Sequence, residues 1–581
     1  MVGDQSMNPK LRTAAVLSIF TAVFVALTVS SYVQESSTSD EPSHLTAGYL
    51  ALKWGDYRID VEHPPVVHMW TALPLLFTSG VTVDTNNQFW TTRHFWDFDI
   101  QFLYKQNDAD QLLYRARFMT VLLGVLLGAL LFSWATELFG FWPATVVLGL
   151  YMLEPNILAH SRLVTTDLGV TCFMFGAVYF LWRTCRRLSV GNIVGLVGFT
   201  ALALTAKFSA VLLVPIMLAL LIARACRREP WPVAWRRDEA CVTRSQRLMA
   251  AALVLVLSAA GAVVFIWGVY RFHYMPAPAS VDPNSLMRPK TRVAELVPKL
   301  STIVNWADQH RLLPNAYSQG FLLGQGKAQH RPAFLAGRFS NTGWWYYFPV
   351  VILLKTPITL LALCASALTL CVIRWKTFFA GKMFILVPIA IYLGVAMTSR
   401  INIGVRHILP IYPFLLLLAG GAVAALQARV RPAFLLVLLI PAAAELATVA
   451  PHYLAFFNQF AGGPGNGHNL LVDSNLDWGQ DLKPLKKWMD KNNVQHINLA
   501  YFGNADPSYY GIQCTYLPGS PFFAKDKIEG PWVPGYVAVS VNNLHNAADK
   551  TIRDFYEPLL KREPVAVIGY SIHVYRANNA W

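Results

Sequence analysis

Residues 190–223 read VGNIVGLVGFTALALTAKFSAVLLVPIMLALLIA, an apolar stretch with one cation, Lys207, at its middle. As a single helix rising 1.5 Å per residue it would reach roughly 50 Å, far beyond the ~30 Å of bilayer hydrocarbon. Arg183, Arg186 and Arg187 precede it, and Arg224, Arg227 and Arg228 follow it. One crossing would put these basic flanks on opposite faces. Two short crossings meeting at Lys207 return both to one face, as expected when basic short loops collect on the cytoplasmic side. The stretch therefore reads as two spans.

Nine further apolar runs of spanning length lie near 14–32, 118–135, 141–158, 168–182, 249–270, 346–373, 383–398, 408–426 and 433–451. Eleven crossings in all place Lys10 and Arg12, the loops Arg183–Arg187, Arg224–Arg247 and Arg374–Lys382, and Arg429 with Arg431 on the cytoplasmic face. The opposite face receives 33–112, 161–167, 271–345, 399–407 and everything after 451. The first run is too long for the 7–15-residue core of a signal peptide, and no A-x-A site follows it. The expected fold is an α-helical polytopic membrane protein of about eleven transmembrane helices with a C-terminal extracytoplasmic α/β domain. Residues 1–451 form the membrane unit and 452–581 the outer domain. The location expected is a bacterial cytoplasmic membrane, with the N-terminus inside.

Composition agrees. Of 581 residues, 55% are hydrophobic and 14% charged, against about 25% charged in a soluble domain. A net charge of +15 could suggest a nucleic-acid partner, but residues 452–581 are neutral, with 11 Lys/Arg and 11 Asp/Glu. The excess sits in short loops between apolar runs, so nucleic acid is excluded as a partner. Six of the seven cysteines fall in spans or cytoplasmic segments, leaving Cys514 alone outside, which excludes a disulfide framework. No nucleotide-binding glycine motif (GxxxxGK[ST] or GxGxxG) occurs. After residue 451, strand-like runs at 469–473, 496–502, 534–541 and 565–576 alternate with helix-like runs at 479–491 and 549–561.

Just past the first span come Ser39-Asp40-Glu41-Pro42-Ser43-His44 and then Glu62-His63-Pro64-Pro65. An acidic residue before Pro suits a helix start. The same carboxylates sit at the outer membrane surface, where one can take a proton from an acceptor hydroxyl. Adjacent side chains point in different directions, so one member of the pair would be the base and the other its supporter. Asp167 opens a span after a very short loop that also holds Arg162. It suits a helix cap, yet an ionisable group there must be paired or face a wet cavity. Lys207, Lys355, Arg406 and His407 converge on the outer face near the bilayer edge. A lipid phosphate requires such an arrangement, with Arg binding oxygens bidentately; snorkelling is the ordinary alternative. Glu445, in the last span, reads as a paired structural residue.

The run Asp473-Ser474-Asn475-Leu476-Asp477-Trp478-Gly479-Gln480-Asp481 follows a strand and opens a helix. Ligands in α/β units favour the carboxyl ends of strands, and a Trp beside carboxylates and amides suits a sugar. Asp473, Asn475, Asp477 and Trp478, with His63, are the candidates for sugar or acceptor binding. Ordinary turn and cap chemistry accounts for the same residues.

These residues together resemble the polyprenyl-phosphate-dependent glycosyltransferases of the C-type membrane superfamily, in the branch of protein O-mannosyltransferases and lipid A aminoarabinose transferases. The resemblance rests on Asp40-Glu41 in a long first outer loop, His63-Pro64-Pro65, Arg162-x4-Asp167 and Leu204-Thr205-Ala206-Lys207. It ends with Gly404-Val405-Arg406-His407-Ile408-Leu409-Pro410 entering a late span. It implies that Asp40 is the catalytic carboxylate, with Glu41 beside it and Asp167 at the second acidic position. Arg162, Lys207 and Arg406 would bind the donor phosphate. His407 departs from the Tyr that many relatives carry. The family is mixed on metal, so no cofactor is fixed by the resemblance; Asp40, His44 and Glu62 are weak candidates for holding a divalent ion.

The activity expected is an inverting transfer of a sugar from a polyprenyl-phosphate carrier to a protein, lipid or glycan acceptor on the extracytoplasmic face. The alternative is a transporter or flippase of a lipid-linked sugar, which would need no acidic pair in an outer loop. A scaffold displaying residues 452–581 would leave the ordered motifs of the first 410 residues without a role.

Overall fold

The computed structural model describes residues 8–577 except 236–239, 375–377, 379–380, 428, 431 and 521–533. Arg431 and parts of two basic loops therefore lie outside the described residues. Six described helices are long and apolar enough to cross a membrane: Pro9–Tyr32, Ala109–Phe139, Thr166–Arg186, Phe208–Cys226, Arg244–Val269 and Val405–Gln427. Shorter apolar helices cover Phe141–Met152, Val190–Ala206, Met383–Thr398 and Phe434–Ala447. The chain is a multi-pass membrane protein.

The stretch around Lys207 breaks as expected. The helix Val190–Ala206 ends at Lys207, whose backbone is extended (φ −156°, ψ 141°), and a 3-10 turn over Phe208–Leu212 leads into the helix Leu213–Cys226. A second break was not anticipated. The run 346–373 is two helices, Tyr347–Lys355 and Ile358–Ile373, bent by 119°. Pro357 is the cause: it has no N–H to donate, and it forces the residue before it out of the helical region. Thr356 is accordingly extended (ψ 136°). Glu445 completes the bend, because its Oε1 accepts the Ile358 N–H at 3.1 Å and so caps the second helix. The run 141–158 is likewise divided. The Glu154 carboxylate accepts the Ile157 N–H at 2.6 Å and starts the separate turn Pro155–His160.

Between the first two long helices, α1 (Pro9–Tyr32) and α4 (Ala109–Phe139), the chain forms α2 (Glu41–Trp54) and α3 (Val66–Ala72). These two cross at Gly48, where an added Cβ would lie 2.0 Å from the His68 carbonyl oxygen. Only glycine permits that approach. α2 ends at Gly55, which takes the left-handed conformation that closes a helix (φ 68°).

The C-terminal part carries a mixed five-stranded sheet of β1 (His496–Ala500), β2 (Gln513–Tyr516), β3 (Gly535–Ser540), β4 (Ala566–Ile568) and β5 (Ile572–Ala577), in the order β2-β1-β3-β5-β4. β1 pairs in parallel with β2 and β3, and β5 runs antiparallel to β3 and β4. β2 had no clear sequence signal. The expected strand at 469–473 is instead 3-10 structure, over Pro464–Asn469 and Asp473–Asn475. Pro464 and four nearby glycines do not sustain a strand, and Asp473 adopts φ 59°. The expected run 565–576 is a hairpin of two strands. The sheet does not pack alone: Leu482, Leu485, Met489 and Ile497 share one apolar cluster with Leu45, Leu50, Phe98 and Phe102 of the first outer loop.

Candidate active site

Asp40 stands at the N-terminus of α2, just before Glu41 and Pro42. Its carboxylate accepts a hydrogen bond from Arg406 Nη1 at 3.0 Å. The same guanidinium nitrogen lies 4.0 Å from Asp167, which accepts a 2.5 Å bond from Lys207 Nζ. Residues 40, 167, 207 and 406, scattered over 366 positions of sequence, thus form one chain of alternating charge, Asp40–Arg406–Asp167–Lys207. Burial acts to raise the Asp40 pKa, but Arg406, then His44 and His63, more than offset it and hold the carboxyl below its usual range.

This chain of charge borders a cavity of about 360 Å³ lined by Asp40, His63, Lys207, Arg331, Arg406 and His407, with Glu62 paired to Lys327 at its edge. Arg331 has no ion-pair partner among the described residues and also lines a neighbouring cavity of about 240 Å³ with Asp473, Asn542 and His545. The two cavities meet at Arg331 and Ile403.

Glu41 turns the other way. Its carboxylate is fully buried and receives Arg117 Nε at 2.9 Å and Nη2 at 2.6 Å, the Thr38 N–H at 2.8 Å and the Val164 N–H at 2.9 Å. Burial raises its pKa, but Arg117 and these donors bring it below the ordinary value. With every lone pair engaged, Glu41 fixes the start of α2 and the loop before Asp167 rather than facing the cavity.

Arg162 and Lys355 also lie away from the cavity. Arg162 is buried in an ion pair with Glu35 and sits 6.0 Å from the Tyr453 ring centre. Lys355 donates to the Leu454 carbonyl at 2.9 Å and the Asn475 carbonyl at 2.5 Å. His407 borders the cavity, and its Nε2 has no hydrogen-bond partner among the described residues.

The 473–481 run divides by role. Trp478 is buried and its ring centre lies 4.1 Å from the Arg406 guanidinium carbon. Its carbonyl accepts the Ser39 N–H at 2.9 Å, one residue before Asp40. Asn475 Oδ1 accepts the Val405 N–H at 3.0 Å, and Ser474 Oγ donates to the Ile403 carbonyl at 2.9 Å. An added Cβ at Gly404 would lie 2.2 Å from Ser474 Oγ, so the late motif needs glycine for this contact. One short C-terminal segment therefore grips both Asp40 and Arg406. Asp477 accepts the Gly479 and Asn542 N–H groups at 3.2 and 3.3 Å and is out of reach of solvent; burial pushes its carboxyl up to about 7. Asp473 lines the smaller of the two cavities.

Sequence reasoning had no signal for Arg331 or for the Arg117 partner of Glu41, since both depend on contacts far along the chain. Asp60 and His68 were also missed. They join His44 and His63 in a compact cluster beside the cavity, although Asp60 lies only two residues before Glu62-His63.

Residues 110–235 match the family model of dolichyl-phosphate-mannose-protein mannosyltransferases. No curated protein matches the chain. Among solved structures, the chain is similar to ArnT from Cupriavidus metallidurans bound to undecaprenyl phosphate, with 13% identity and a TM-score of 0.47, over 96% of this chain and 97% of that one. It is also similar to the S. cerevisiae protein O-mannosyltransferase Pmt1–Pmt2 complex bound to the sugar donor. There the identity is 17% and the TM-score 0.32, over 46% of this chain and 34% of that one. A third likeness is the Archaeoglobus fulgidus oligosaccharyltransferase in complex with Zn and sulfate, at 12% identity and a TM-score of 0.44, over 91% and 68% of the two chains. The family match spans Asp167 and the Lys207 break, and does not extend to Asp40 or Arg406.

Proposed function

We propose that this protein transfers a sugar from a polyprenyl-phosphate donor to an acceptor on the extracytoplasmic face, with inversion at the anomeric carbon. The observation that carries the reading is the Asp40–Arg406 contact at 3.0 Å, beside a cavity that also holds Lys207 and Arg331. A base and several phosphate-sized cation sites share one compartment.

In the proposed reaction the acceptor hydroxyl or amine attacks the sugar C1 as the C1–O bond to the carrier breaks. The electron pair of that bond leaves with the polyprenyl phosphate, and the acceptor proton passes to Asp40. Arg406, Lys207 and Arg331 stabilise the charge that develops on the leaving phosphate, an interaction that can be the largest single term in catalysis. Arg406 links the two halves. While it is paired with Asp40 the carboxylate is a poor base; a donor phosphate that attracts the guanidinium frees Asp40 and raises its basicity. Donor binding thereby prepares the base.

The same reading takes eleven crossings, the N-terminus on the cytoplasmic side of a bacterial inner membrane, and residues 452–581 outside. The clamp on Asp40 and Arg406 supports this placement of the C-terminal part. The test is a reconstituted assay with a polyprenyl-phosphate sugar: Asp40→Asn abolishes product while the protein stays folded and membrane-inserted. Full activity in that variant overturns the base assignment. Loss of donor from one leaflet without any glycosylated product would favour lipid-linked sugar transport instead.

A further inference from the structure

We infer that His44, Asp60, His63 and His68 form a binding site for one divalent transition-metal ion of the zinc class, beside the catalytic carboxylates and separate from them. The inference is independent of which sugar or acceptor is used.

The four residues come from α2, α3 and the loop that joins them, and their donor atoms all lie within 4.8 Å of one another. Asp60 is the hub. Its carboxylate is 3.0 Å from His63 Nδ1, 3.4 Å from His44 Nε2 and 3.7 Å from His68 Nε2. Metal–donor bonds of about 2.0–2.2 Å put tetrahedral donors roughly 3.3–3.6 Å apart, and these three separations, 3.0 to 3.7 Å, bracket that range.

Two details favour an ion over a simple hydrogen-bonded cluster. His44 Nδ1 is 2.9 Å from the Val164 carbonyl, which accepts only if that nitrogen carries the proton. The neutral ring then presents the bare lone pair of Nε2 to the Asp60 carboxylate. Two acceptors facing each other repel unless a cation or a proton lies between them. Backbone contacts of this kind orient metal-ligating imidazoles. His68 is 1% exposed, and neither of its ring nitrogens has a hydrogen-bond partner among the described residues. An imidazole buried with both nitrogens unsatisfied is costly, and coordination through Nε2 removes part of that cost.

The ring of His68 stacks on that of His44 at 4.5 Å. The Gly48 crossing, which brings α2 onto the His68 backbone, holds the two residues together.

Three imidazoles and one carboxylate form a nitrogen-rich set suited to zinc and its neighbours, and unlike the all-oxygen shells of magnesium or calcium. Asp40 and Asp167 are not part of it, because Arg406 and Lys207 occupy their carboxylates. Four protein ligands close the shell, so the ion would tie α2, which begins at Asp40, to α3. His63 lines the cavity and gives the ion a path in.

The test uses full-length protein purified in detergent through a tag without histidine, stripped with chelator and reloaded with zinc. The expected result is about one zinc per chain, bound through nitrogen and oxygen at about 2.0–2.2 Å by X-ray absorption. His68→Gln and Asp60→Asn should each weaken zinc binding at least tenfold, while Glu62→Gln retains it. Circular dichroism and gel filtration check that each variant is folded. No retained zinc, equal zinc content in wild type and His68→Gln, or a sulfur-containing shell would each overturn the site. Because the readout is metal content, its failure leaves the sugar-transfer reading standing, and loss of transfer in Asp40→Asn leaves the metal reading standing.

Discussion

The Arg406 guanidinium carbon lies 4.1 Å above the ring of Trp478, so a residue from the C-terminal segment positions the cation that holds Asp40. A desolvated cation–π contact of this kind is worth about 2 kcal/mol, which corresponds to roughly a thirtyfold effect on rate if it is lost in the transition state.

Trp478→Ala should therefore reduce sugar transfer by one to two orders of magnitude, and Trp478→Phe should recover part of the loss. Steady-state kinetics with a polyprenyl-phosphate sugar donor measure both. Unchanged transfer in the alanine variant would show that the stacking has no part in catalysis.

Lys207 and Lys355 should separate cleanly. Lys207 faces the cavity and pairs with Asp167, whereas Lys355 is held by two backbone carbonyls. Lys207→Ala is expected to raise the donor KM. Lys355→Met should lower thermal stability with little change in donor KM among molecules that remain folded. The reverse pattern would reassign the two cations.

Glu41 and Arg117 form a fully buried bidentate pair. Removing one partner strands a charge, at a cost of roughly 3–5 kcal/mol. Glu41→Ala and Glu41→Gln should therefore both be destabilised by about that amount in detergent unfolding, since Gln also leaves Arg117 without its counter-charge and sets an NH2 against N–H donors. A small loss in both variants would argue against a structural role.

The pH dependence of transfer should report the Asp40–Arg406 pair. Burial raises the Asp40 pKa, and Arg406 together with His44 and His63 more than offsets it. The acid limb of kcat/KM, where the base becomes protonated, should thus lie below the ordinary Asp value of about 3.9 in wild type. In Arg406→Gln, burial is left without its main opponent, so the residual activity should show that limb at higher pH. A limb that stays in place, or moves to lower pH, would count against the pairing.

Much of this was legible in one dimension. Apolar runs of bilayer length, the basic residues between them and the lone Lys207 predicted a helical membrane protein and a break at that lysine, because lipid imposes length and charge rules on each segment by itself. The breaks at Thr356–Pro357 and at Glu154 were harder to read. Proline and capping residues were visible there, but local signals do not show whether a short interruption bends a span or ends it.

The site divided along the same line. Asp40, Asp167, Lys207 and Arg406 could each be nominated from sequence, since an ionisable group beside an apolar run needs a reason to be there. Which of them meet was decided only in three dimensions. Glu41 and Asp40 are neighbours with opposite fates, because Arg117 reaches one and Arg406 the other. Arg162 and Lys355 are spent on Glu35 and on backbone carbonyls, and Trp478 reaches Arg406 from 72 positions further along the chain. Residue type and spacing set what each group can do; its partner, supplied by distant segments through packing, set what it does.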